Sequence, residues 1–144
     1  MGSRSDESVM EETAVMLRRF DVPFEVEVMS AHRQPEKTRQ YARSARERGL
    51  RILIAGAGLA AHLTGVLASE TTLPVIGVPL TGSTLGGLDS LLSMVQMPAG
   101  IPVATVSLGV HGARNAALLA VAILALQDEE LRVRLEEYRS ELAG

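Results

Sequence analysis

Three histidines stand in the 144-residue sequence, His32, His62 and His111, and the first two keep similar company. His32 lies in "SAHRQPEK" (30–37), followed directly by Arg33, with a strand-like stretch before it and a helix-like one after it. His62 lies in "AGAGLAAHL" (55–63), again where an apolar run gives way to a helical pattern. An imidazole in such a loop can accept and release a proton near neutral pH, which makes it the natural general acid and base. His111, followed by Gly112, reads as a polar loop residue.

Glycine and serine gather at the same points. "GSRSD" (2–6), "SAHR" (30–33) and "AGAGLAAHL" (55–63) each precede a helical pattern, so each can turn free backbone N–H groups toward an anion. Ser3, Ser5, Ser30 and Arg33 add donors, and a guanidinium can grip phosphate or carboxylate through two parallel bonds. One such loop is ordinary turn chemistry. Three on one edge of one sheet favour a ligand with an anionic head.

Other chemistries find less support. Gly56-x-Gly58-x-x-Ala61 after "RILIA" loosely fits a dinucleotide fingerprint. However, "VIGVPLTG" supplies no acidic residue to hold a ribose, and Glu70 falls before that strand. Cysteine is absent, and so are H-E-x-x-H and G-x-S-x-G, which leaves no thiolate, zinc or serine-nucleophile signature. A net charge of -3 and 3% aromatic residues offer nucleic acid neither a basic field nor stacking platforms. The apolar run 116–126 falls short of the roughly 20 residues a bilayer span needs, and "MGSRSDES" has no signal-like apolar core. The expectation is a soluble, cytoplasmic protein.

The elements that must hold these loops follow from periodicity. Val9, Met10, Thr13, Ala14, Leu17 and Phe20 recur at helical spacing, and "FEVEV" (24–28) alternates like a half-buried strand near a sheet edge. Pro35 opens an Arg-rich helix that stops at Gly49. "RILIAG", "LPVIGVP" and "IPVATVSLG" read as strands covered on both faces, with helices over "AHLTGVLASE" and "GLDSLLSMVQM" and one or two more from Gly112 to Leu142. This rhythm predicts parallel βαβ units in a three-layer, flavodoxin-like α/β domain over 1–144, with functional residues past the carboxyl ends of the strands. Between Ala113 and Leu126 only Arg114 and Asn115 are polar, so that helix is expected to show an apolar face to another subunit.

Six motifs in order carry a resemblance over essentially the whole chain. They are M-G-S-x-S-D (1–6), S-A-H-R-x-P (30–35), A-G-A-G with A-A-H-L (55–63), P-V-x-G-V-P (74–79), D-S-L-L-S-x-V-Q-M-P-x-G (89–100) and N-A-A-L-L-A (115–120). Together they resemble the PurE family, whose class I members are N5-carboxyaminoimidazole ribonucleotide mutases of purine synthesis. The resemblance implies phosphate and ribose contacts at Ser3, Asp6 and Arg33. It implies neighbouring contacts at Ser30, Gly58 and Leu63, a catalytic histidine at His32, and a second loop histidine at His62 that contacts the substrate. It also implies a homo-octamer and no cofactor or metal. Arg33 and "GAGLAAHL" point to the mutase rather than to the second family class, a carboxylase of aminoimidazole ribonucleotide that uses free CO2. That carboxylase and a Rossmann-like dinucleotide binder remain the alternatives. The Gly-rich "TGSTLGG" (81–87) is the expected lid. Family members carry an apolar strand ahead of the residues matching Gly2-Ser3, so the resemblance implies a central strand missing from the 144 residues.

Overall fold

A computed structural model describes residues 1–144. After a short 3₁₀ turn at Arg4–Asp6 come α1 (Glu7–Arg19), α2 (Pro35–Ala45), β1 (Leu53–Ala57), α3 (Leu63–Glu70) and β2 (Val75–Pro79). They are followed by α4 (Leu88–Val95), β3 (Ala104–Thr105), α5 (Gly109–Leu124) and α6 (Glu129–Ala143). The strands form one parallel sheet in the order β1-β2-β3, with Leu53 opposite Val75 and Ile76 opposite Ala104.

The strands read as continuous apolar runs because both faces are covered. Leu53, Ala55, Ala57 and Val75 point into a core shared with Ala42 and Ala45 of α2 and Leu63 and Leu67 of α3. Ile76 and Val78 point the other way, against Met10 of α1 and Ala113, Ala116 and Ala120 of α5. The alternation along each strand therefore sorts side chains into the two helical layers.

The apolar α5 turns out to be spent inside the chain. Its small residues let α1 lie close, and the buried Thr13 hydroxyl donates to the Ala113 carbonyl at 2.8 Å. Ala117, Val121 and Ala125 meet Leu17 and Phe20 of the α1 end and Leu131 and Leu135 of α6. Asp128 starts α6 by accepting from the Leu131 N–H at 3.0 Å. The outer residues left exposed are Val110, His111, Arg114, Asn115 and Leu119, so His111 sits in the first turn of a helix and not in a loop. A different helix carries the unpartnered apolar row: Leu88, Leu92 and Val95 of α4, each close to half exposed, with Leu85 just before them.

Two expected strands come out shorter or absent. "IPVATVSLG" yields only Ala104–Thr105, at the outer edge of the sheet, where Pro102 cannot donate to a ladder. "FEVEV" forms no strand at all. Its only backbone–backbone bond is made by the Glu27 carbonyl, which accepts from the Met1 amino group at 2.8 Å. The alternation is right for a strand, but a strand needs a neighbour along its length.

Candidate functional site

The parallel sheet points the carboxyl ends of its strands at one edge, and the sequence-selected loops converge there. The first loop is shaped by its own side chains. Asp6 Oδ2 accepts from the Ser3 N–H at 2.9 Å while Ser3 Oγ accepts from the Ser5 N–H at 3.3 Å, a reciprocal cap that fixes "GSRSD" before α1. Gly2 ties this loop to the sheet by donating to the Gly56 carbonyl at 3.1 Å.

The second loop is a tight turn. The Gln34 N–H donates to the Ser30 carbonyl at 2.8 Å, and the Arg33 N–H reaches Ser30 Oγ at 3.3 Å. Pro35 then starts α2, because its missing N–H is no loss in a first turn. Ser3, Ser30 and Arg33 line one open pocket of about 440 Å³, together with Gly2, Arg4 and Gln34. Arg4 and Gln34 are new members; both lie inside motifs singled out above, and their position in those motifs was the available signal. A pocket with two hydroxyls and two guanidinium groups suits a phosphate or carboxylate.

The third loop follows β1. Leu59 adopts a left-handed conformation (φ 55°), and the His62 N–H donates to the Ala60 carbonyl at 2.7 Å. The turn delivers His62 to the position just before α3. Gly58 lies against Leu80, with Leu80 Cβ 3.8 Å from where a side chain would begin. Leu63 is buried in the core at 3% exposure, so only its backbone is free for a ligand.

The decisive contact joins the second and third loops. His32 Nε2 and His62 Nδ1 are 2.7 Å apart, with the rings edge to face at 73° and their centroids 4.8 Å apart. One nitrogen donates and the other accepts, so the pair holds each ring in a chosen tautomer. Both histidines are exposed at the edge, and His32 is one residue from the Arg33 that lines the anion pocket. Asp6 is not among the residues that line this pocket, and its Oδ2 is engaged by the Ser3 N–H. Nowhere do three or more histidine, aspartate or glutamate side chains gather as a metal-holding group.

Two facing histidines beside a pocket of hydroxyl and guanidinium groups lie on the loops the motifs singled out, and comparison with known proteins identifies the lineage. The family model described as AIR carboxylase matches residues 1–144. The chain belongs to the AIR carboxylase family. Among curated members, it is 57% identical over 142 residues to the N5-carboxyaminoimidazole ribonucleotide mutase of Pyrococcus abyssi, covering 99% of this chain and 80% of that one. It is 59% identical over 143 residues to the enzyme of the same name from Mycobacterium leprae, covering 99% and 82%. Among solved structures, Treponema denticola PurE superposes with a TM-score of 0.87 at 28% identity, covering 99% of this chain and 88% of that one. The AIR carboxylase fold thus extends over nearly every residue described above.

Proposed function

We propose that this chain is an N5-carboxyaminoimidazole ribonucleotide mutase, an isomerase of de novo purine biosynthesis. It moves a carboxyl group from the exocyclic nitrogen N5 to ring carbon 4 of the same nucleotide. The observation that carries the site assignment is the His32–His62 pair standing next to the Ser3–Ser30–Arg33 pocket.

The chemistry asks for one proton carrier used twice. His32 gives a proton to the carbamate nitrogen; the N–C bond breaks, its electron pair stays on nitrogen, and CO2 is released. Ring carbon 4 then bonds to CO2 using the ring's π electrons, and that carbon still holds its hydrogen. His32 removes this proton, the ring recovers its aromaticity, and the imidazole returns to its starting state. No proton is gained or lost overall. His62 is a positioning residue that holds the His32 ring through the 2.7 Å bond.

Binding is divided among the loops. Arg33, Ser3 and Ser30 take the phosphate, Asp6 keeps the first loop ordered and faces the ribose, and the Gly58 and Leu63 backbone lets the base approach closely. Released CO2 must be recaptured before it escapes, which requires a dry site. The buried Ala57, Ala61 and Leu80 around Gly58 supply apolar walls, and segment 81–87 closes over them. Ser83 Oγ donates to Asp89 at 2.7 Å, and Ser90 Oγ lies 2.8 Å from the Leu80 carbonyl, so both ends of that segment are anchored to α4.

No cofactor enters this scheme. No helix is long and apolar enough to cross a membrane. The exposed α4 row of Leu88, Leu92 and Val95 supports assembly into a homo-oligomer, an octamer by family resemblance. The test is conversion of the purified carbamate nucleotide without ATP, added metal or bicarbonate. Product in that mixture is expected; product formed only on addition of bicarbonate would assign the carboxylase reaction instead.

A further inference from the structure

Cations that lack a carboxylate partner gather in two places. Of the 14 lysine and arginine residues, all but Arg4, Arg33, Arg46, Arg51 and Arg139 are paired with an aspartate or glutamate. Arg4 and Arg33 line the pocket beside His32. Arg46 and Arg51 line a second pocket, of about 660 Å³. Arg139 is exposed on α6 and lines neither pocket. One lone surface arginine is ordinary; two in one apolar-lined hollow call for an anion.

The second pocket lies at the opposite edge of the sheet from the histidines. Arg51 and Ile52 lead into β1, and Leu73 and Pro74 lead into β2, so the hollow opens at the amino ends of the strands. The five residues of β1 separate it from the His62 loop, about 16 Å at the usual rise per residue.

Local contacts aim the charges without neutralising them. Arg46 Nη2 donates to Thr72 Oγ1 at 2.9 Å, and Arg51 Nη2 donates to Gln127 Oε1 at 3.3 Å. Each guanidinium is thus held by a neutral acceptor, which leaves its charge and its remaining N–H groups unspent. Two carboxylates share the lining, and both are engaged. Asp21 pairs with Arg134 at 3.2 Å, and Asp128 Oδ1 accepts from the Leu131 N–H at 3.0 Å. Arg134 also donates to the Phe20 carbonyl at 3.0 Å. With Arg46, Arg51 and Arg134 set against Asp21 and Asp128, the pocket is positive in a chain whose net charge is -3.

The rest of the lining is largely apolar, with Ile52, Leu73, Ile123 and Leu126 among its members. Leu126 is 83% exposed, more than any other large hydrophobic side chain in the protein. A bare inorganic anion would leave this surface in water, and a neutral apolar molecule would leave the two cations unmatched. The concavity suits a small molecule better than a flat partner surface.

We infer that this pocket binds an organic anion, a phosphate or carboxylate head on a short apolar body. Arg46 and Arg51 take the head, each guanidinium offering parallel N–H bonds to two oxygens. Ile52, Leu73, Ile123 and Leu126 receive the body. The site is separate from the one assigned to the nucleotide.

The test follows backbone amide shifts of the whole chain by NMR during titration with hexyl phosphate, hexanoate, inorganic phosphate and hexanol, at about 0.15 M salt to screen distant attraction. Hexyl phosphate or hexanoate is expected to shift the Thr72 and Gln127 amides saturably, at concentrations at least about tenfold below those at which inorganic phosphate or hexanol acts. The two charged probes distinguish a phosphate-preferring from a carboxylate-preferring head. Arg46→Gln and Arg51→Gln should each weaken that binding about tenfold, and Arg139→Gln, which removes an unpaired arginine outside both pockets, should leave it unchanged. Both pocket arginines are exposed, so the variants should keep the parent's amide spectrum away from the site. No saturable shift with either charged probe overturns the inference. So does inorganic phosphate or hexanol binding as tightly as the charged amphiphiles, or an equal loss in Arg139→Gln. None of these readouts involves turnover, so the mutase reading stands or falls separately.

Discussion

Gly112 sets two physical effects against each other. It lies inside α5, where replacing glycine by alanine gains roughly 1 kcal/mol of helix propensity. A methyl group there would sit 1.6 Å from the Ser107 carbonyl oxygen and 2.7 Å from its carbon. Both are backbone atoms of the segment leading into α5, so no rotamer change relieves the overlap. Restoring ordinary contact requires a shift of well over 1 Å between that segment and a helix packed on α1, β2 and α6. Overpacking of this kind costs about 3 kcal/mol or more, which outweighs the propensity gain. Gly112→Ala should therefore lose about 2 kcal/mol net, and Tm should fall by roughly 4–8 °C for a chain of this size. Gly65→Ala is the matched control: it too is helical, but its methyl group would meet only the flexible end of Met97, at 3.3 Å. There the propensity term should win or break even. Urea unfolding of both variants with an unchanged m-value gives the comparison. A Gly112→Ala protein as stable as its parent would show that the Ser107 backbone does not crowd this position.

Further outcomes follow from other contacts. Burial first, and then the hydrogen bond to Glu25, push the Tyr41 phenol up to about 12. Because the folded state holds this proton more tightly than the unfolded chain, the associated stability is present below about pH 10 and is lost as pH rises toward 12. Tyr41→Phe should flatten that alkaline decline, and a phenol titrating at its ordinary value by ultraviolet absorbance would contradict the burial argument. Arg33→Lys keeps the charge but loses the two-bond grip, so KM should rise about tenfold with kcat nearly unchanged; a fall in kcat alone would place Arg33 at the reacting atoms. Leu92→Glu puts a charge in the middle of the exposed α4 row and should shift sedimentation to smaller species. An unchanged oligomer would move the interface elsewhere.

The parallel α/β plan was legible because it rests on short-range pattern. "LIAGA" and "VIGVP" are apolar on both faces, and the helices between them carry period 3.6, which together leave few topologies. The convergence of Ser3, Ser30 and Arg33 on one pocket was legible as well, since these hydroxyl and guanidinium groups sit inside contiguous loop motifs. The His32–His62 bond was not, because 30 residues separate the partners and only the parallel pairing of the sheet brings their loops to one edge. "FEVEV" failed for a related reason. Alternation describes what a strand shows to its two faces and is silent on whether a neighbour is present to pair with. The apolar α5 misled in another way: its alanines read as a surface awaiting a subunit, but α1 and α6 of the same chain cover most of them. The exposed row on α4 was masked by the polar residues between its leucines.

In the proposed reaction one imidazole moves the proton in both halves. His32→Asn removes the proton carrier and keeps a side chain able to hydrogen-bond with His62. Nucleotide binding by calorimetry and carbamate turnover should be measured on the same preparation. Binding within a few-fold of the parent, with turnover reduced by a factor of 10² to 10⁴ or more, is the expected pair of results. Turnover near the parent's rate would exclude His32 as the proton carrier.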